Sequence, residues 1–76
     1  MSEQEWLDIF GDNLVSILEE YKMTQDELAE ETGLSKGTIS KYIHKKQIPN
    51  LKAIINLSYA LDMDIDELID FGDRIE

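Results

Sequence analysis

Apolar residues recur along this chain at intervals of three and four, and Pro49 is its only proline. That spacing is the period of an amphipathic helix and not of a strand, so it confines the chain to an all-α fold. Phe10, Leu14, Ile17, Leu18 and Tyr21 predict a first helix with one inward stripe. The same period extends backward through Trp6 and Ile9, with Gly11 as the obstacle to that extension. Thr24-Gln25-Asp26-Glu27 is a capping-box sequence: the Thr24 hydroxyl can accept from the Glu27 amide while the Glu27 carboxylate reaches back. A second helix therefore starts at Gln25, with Leu28 and Ala29 facing inward.

Gly33 interrupts that helix at a position where glycine takes a left-handed conformation without a Cβ penalty. Ser35 is a good N-cap for a short third helix over Lys36 to Ile43, which packs on the second through Leu34, Ile39 and Tyr42. Residues His44 to Pro49 read as a loop, because proline disfavours helical geometry at the residue before it. Asn50 caps a fourth helix from Leu51 to about Leu61, with Leu51, Ile54, Leu57 and Leu61 inward. Asp64-Ile65-Asp66-Glu67 opens a short fifth helix through Leu68, Ile69 and Phe71. With 76 residues there is room for one core, so residues 1–76 form a single domain of modest stability.

There is no cysteine, which removes disulfides, thiolate metal sites and cysteine nucleophiles. It also suits a reducing compartment, and the absence of a long apolar run or a signal-like N-terminus makes a soluble cytoplasmic protein the expectation. A net charge of −10 argues against a polyanionic partner until its distribution is read. Residues 32–61 hold Lys36, Lys41, Lys45, Lys46 and Lys52 and no acid, whereas residues 1–31 hold ten acids against Lys22 and residues 62–76 hold seven against Arg74. A basic centre stands between acidic ends, the ordinary alternative being a merely solvated charged face.

Two short helices joined through Gly33, with Ala29 four residues before it and Ile39 six after, have the spacing of a helix-turn-helix over residues 25–43. Ala29 is small enough for close helix approach, Gly33 permits the turn, and Ile39 anchors the third helix so that its other face stays exposed. That face carries Lys36, Gly37, Thr38, Ser40 and Lys41, whose donors suit base edges in a major groove.

Over residues 10–69 the chain resembles the Cro and phage-repressor (xenobiotic-response-element) family. FGDNLVSILEEYKMTQDELAEETGLSKGTISKYI is similar to that family's first three helices and IPNLKAIINLSYALDMDIDELI to its fourth and fifth. The resemblance implies a five-helix lambda-repressor-like fold and a double-stranded DNA partner. It assigns base edges to Lys36, Gly37, Thr38 and Lys41, with Ser40 beside them. It assigns backbone phosphates to Gln25, to the loop residues His44, Lys45 and Lys46, and to Asn50 at the fourth-helix start, and the cap Ser35 is expected to join them.

Two departures stand out. Lys45 replaces a usual glycine, which requires either a left-handed lysine or a turn of another shape. Leu18 and Ile43 replace a common arginine and glutamate that pair across the core, an exchange of a buried ion pair for hydrophobes that is often neutral or favourable. These two side chains are expected to meet inside the domain.

An enzyme is not expected: His44 is the sole histidine, and the carboxylates lie at helix starts and on outer faces without an acid–base spacing. No metal, cofactor or small-molecule ligand is expected. One recognition helix covers too few base pairs to single out a genomic site, so a weak homodimer through the C-terminal third is expected, using Met63, Phe71 and Ile75. The competing expectation is an interaction module, such as an acidic decoy, that keeps the fold without binding DNA. Net charge favours the decoy and the acid-free window favours the DNA-binding regulator, a repressor of phage or mobile-element type on a two-fold operator.

Overall fold

A computed structural model describes residues 2–69 as five helices: α1 (Glu3–Tyr21), α2 (Gln25–Thr32), α3 (Lys36–Ile43), α4 (Leu51–Leu61) and α5 (Ile65–Leu68). No strand occurs among the described residues. Phe71 and Ile75, two of the three expected dimer residues, lie outside them, as does the expected reach of the fifth helix to Phe71.

α1 begins in a capping box, with the Glu5 amide donating to Ser2 Oγ and the Ser2 amide to Glu5 Oε1, both at 3.2 Å. It then runs unbroken through Gly11. A Cβ built on Gly11 would lie 2.8 Å from Lys45 Cγ, 3.0 Å from the Tyr42 carbonyl oxygen and 3.4 Å from that of Ile43. Glycine is thus present because α1 crosses the C-terminal end of α3 there, and the close approach offsets a helix-propensity cost of about 1 kcal/mol. Next to the crossing, Phe10 meets Tyr42 edge to face, ring centroids 5.7 Å apart at 81°.

Ile9, Phe10, Leu14, Ile17 and Leu18 are buried along α1, but Tyr21, expected inward, is 41% exposed. The chain turns away at Lys22 (φ 53°), where the Lys22 amide donates to the Glu19 carbonyl and the Met23 amide to that of Leu18. That turn brings Met23 against the core. α4 needs a similar correction: Leu51, expected inward, is 69% exposed, and the buried face is Ala53, Leu57 and Leu61. Leu51 stands two residues before Ala53, about 200° around the helix, and so points away from the core. Asn50 caps α4 as expected, its Oδ1 accepting from the Ala53 amide at 2.8 Å.

Asp64 precedes α5 with extended backbone but makes no side-chain cap bond. α5 is held instead by the wholly buried Leu68 and by Asn13 of α1, whose Nδ2 donates to the Leu68 carbonyl at 3.5 Å. No helix among the described residues is long and apolar enough to cross a membrane.

Candidate nucleic-acid interface

α2 starts where its capping box places it, the Glu27 amide donating to Thr24 Oγ1 at 3.1 Å and the Thr24 amide to Glu27 Oε1 at 3.0 Å. It ends at Gly33, left-handed at φ 75°, whose amide donates to the Ala29 carbonyl at 3.0 Å. The turn between α2 and α3 is stabilised by a residue that sequence reasoning passed over. Buried Thr32 donates its hydroxyl to the Leu28 carbonyl at 2.8 Å and accepts from the Leu34 amide at 3.2 Å. Threonine often bonds back within its own helix, so residue type alone did not single out this bridge to the next segment.

α3 is anchored by Ile39 and Tyr42, both buried, with Leu34 half-buried beside them. Burial also pushes the Tyr42 phenol above its ordinary titration range. The opposite side of α3 leaves Lys36, Gly37 and Lys41 exposed and Thr38 and Ser40 half-buried. Ser35 caps the helix by accepting from the Thr38 amide at 3.0 Å, and its hydroxyl shares a 2.8 Å hydrogen bond with that of Thr38.

Gly37 differs from the glycine at the α1–α3 crossing. A Cβ there would meet only Ser35 Oγ, at 3.9 Å, and its φ is not positive. Nothing among the described residues calls for a glycine in this exposed turn of helix. It leaves bare backbone on the outward face, room for another molecule to come close.

The third helix ends at Ile43, and two residues on Lys45 takes the left-handed conformation (φ 62°), with the Lys45 amide donating to the Tyr42 carbonyl and the Lys46 amide to that of Lys41 at 2.8 Å. Of the two alternatives for this position, the strained lysine is therefore the outcome. Lys45 Nζ pairs with Asp12 of α1 at 2.9 Å. His44 Nδ1 lies 3.0 Å from the Ser40 carbonyl, which can only accept, so Nδ1 carries the proton and Nε2 donates outward only in the imidazolium form.

The charge pattern does not carry over unchanged into space. Asp12, from the acidic N-terminal stretch, sits on Lys45 of the basic centre. Lys36 Nζ lies 3.3 Å from Asp26 Oδ2, and Asp26 and Glu30 border the hollow between α2 and α3 together with Ser35 and Lys36. The Lys36 pair is largely exposed, so it orients the ammonium without holding it. Lys41 and Lys46 are exposed without a carboxylate within ion-pair distance among the described residues.

Gln25 is the exposed first residue of α2, on the rim of a shallow depression lined also by Val15, Leu18, Met23 and Ile43. Leu18 and Ile43 thus line the same depression, at the two positions where the resemblance implies a common arginine and glutamate. Asn50 is exposed at the start of α4, its side-chain oxygen engaged by its own helix. Met63 is half-buried and packs against the core, with its carbonyl accepting from Ser58 Oγ at 2.6 Å.

Residues 14–68 match the family described as Helix-turn-helix. A protein of Bacillus subtilis (strain 168) named as an uncharacterized HTH-type transcriptional regulator, YqaE, is 30% identical over 61 residues, which are 80% of this chain and 53% of that protein. The chain spans about half the length of this curated relative. No solved structure gives a significant match. The family match begins within α1, ends within α5 and encloses the whole α2–Gly33–α3 unit with the helices that brace it, so the chain belongs to the helix-turn-helix family.

Proposed function

We propose that this chain is a sequence-specific double-stranded DNA-binding transcriptional regulator, a cytoplasmic repressor of phage or mobile-element type that binds a two-fold operator as a weak homodimer. The observation that carries this reading is the outward face of α3. It holds exposed Lys36 and Lys41 around a glycine that no contact among the described residues requires, in a segment without acids. In this reading Lys36, Gly37, Thr38, Ser40 and Lys41 meet base edges, and Gln25, Ser35, His44, Lys45, Lys46 and Asn50 meet phosphates. The Thr38 hydroxyl exchanges or extends its bond to Ser35 on doing so. The name of the Bacillus subtilis relative supports a regulatory role.

One observation favours the competing reading of an acidic decoy. Asp26 and Glu30 stand beside Lys36, and the chain as a whole carries −10. An electrophoretic shift assay on the DNA flanking this chain's own gene, at low and moderate salt, separates the two readings. A regulator gives a discrete shift that competitor DNA of other sequence does not remove, and binding that falls with salt. No shift at low salt supports the decoy instead.

A further inference from the structure

We infer that the outer face of α4 is a self-association surface, occupied by the same face of a second copy of this chain. The inference deepens the reading of a dimeric regulator by naming the surface. Leu51, Ile55 and Tyr59 fall within about 80° of one another around α4 and on the side opposite Ala53, Leu57 and Leu61. They are 69%, 38% and 84% exposed. On α1 and α2 the outward positions are filled largely by acids and polar residues such as Glu19, Glu20, Glu30 and Glu31. α4 holds no acid within its span and presents a leucine, an isoleucine and a tyrosine to solvent, uncovered by any other helix among the described residues.

The strip is complementary to itself. Its three apolar residues are evenly spaced about Ile55, so a two-fold axis through Ile55 sets Leu51 of one copy against Tyr59 of the other in an antiparallel α4 pair. The same operation opposes the helix dipoles and carries Lys52, exposed beside the strip, toward the C-terminal end of the second copy's α4, where exposed Asp62 caps the helix. The contact therefore matches charge at both ends and apolar surface in the middle. In a chain of net charge −10 it is also a face on which two copies can meet without burying like charges against each other. Met63 belongs to the core side of the same region and adds little to this surface.

Sedimentation of the full chain without DNA tests the proposal, so a failure of DNA binding and a failure of this interface are told apart. The wild type is expected to pass from monomer to dimer in the range up to about 100 μM, as suits a small interface. Added salt should favour that dimer by screening the repulsion between two acidic molecules, the reverse of its effect on DNA binding. Ile55→Glu, or Tyr59→Glu at the more exposed position, should weaken the dimer at least about tenfold while the helical circular dichroism stays unchanged. Because the chain has no cysteine, register can be read directly. Ile55→Cys should oxidise to a disulfide-linked dimer, and Leu51→Cys should cross-link with Tyr59→Cys in a mixture more readily than with itself, while Ser16→Cys on the exposed side of α1 should not cross-link. A wild type that stays monomeric throughout, a dimer indifferent to both glutamate substitutions, or cross-linking without this pairing preference overturns the proposal and gives the strip to another occupant.

Discussion

Lys45 lies across Gly11: its Cγ occupies the space that a Cβ at position 11 would enter, and its Nζ continues to the carboxylate of Asp12, 2.9 Å away. A left-handed lysine at the end of α3 is thus fitted to a glycine in the middle of α1. Gly11→Ala adds helix propensity but also forces atoms against the Tyr42 carbonyl, a rigid neighbour at 3.0 Å. The substitution should therefore destabilise the fold by about 1–3 kcal/mol, as overpacked sites do. Urea unfolding measures it, and a more stable Gly11→Ala protein would mean that the two helices separate at little cost.

Thr32→Val should cost about 1–3 kcal/mol, because it removes the acceptor of a partly buried Leu34 amide while keeping the side-chain shape. Thr32→Ser keeps the hydroxyl and should recover most of the loss. Equal thermal midpoints for the valine and serine variants would show that the hydroxyl bridge is not what steadies the turn into α3.

Lys22 is exposed at φ 53° with its amide already engaged, so Lys22→Gly relieves backbone strain without removing a packed side chain. After allowance for the greater freedom of glycine in the unfolded chain, a gain of up to about 1 kcal/mol is expected. Lys45→Gly should gain less or lose, since it discards the stem over Gly11 and the Asp12 pair. Denaturant midpoints of the two variants, measured side by side, check the order.

On DNA, Lys36→Ala and Lys41→Ala should each reduce discrimination at particular base pairs, at about 1–3 kcal/mol. Lys46→Ala should weaken all sequences alike and flatten the slope of log affinity against log salt by about 0.9. Lys45→Met, which retains the stem, should flatten it similarly if Lys45 leaves Asp12 for a phosphate on binding. Anisotropy titrations on specific and scrambled duplexes over a salt series supply both readouts.

Tyr42 gives the fold an alkaline limit. Its phenol is raised above the ordinary value of 10.0 by burial, so the folded state holds its proton after the unfolded chain has begun to release it. The stability it contributes is complete below the unfolded value and is lost as pH rises through and beyond it. Urea midpoints should fall between about pH 9 and about pH 11, and Tyr42→Phe should flatten that fall. An identical fall in the phenylalanine variant would assign the loss to other groups.

Features encoded within a few neighbouring residues are legible in the chain alone. Ser35, Thr24 and Asn50 cap helices where they were expected to, because a cap is a hydrogen bond to an amide three residues on. Gly33 turns the chain for an equally local reason, and the exposure of Lys36, Gly37 and Lys41 follows once Ile39 and Tyr42 face the core. Other features depend on which distant segments touch. Gly11 is a crossing point and not a helix break because the end of α3 lies on it, and Asp12 meets Lys45 thirty-three positions away along the chain. Tyr21 satisfies the apolar period yet faces solvent, since period names a helix face but not how far along the helix a neighbour reaches to cover it, and Leu51 lies off the Ala53–Leu57–Leu61 face that tertiary contact selects on α4.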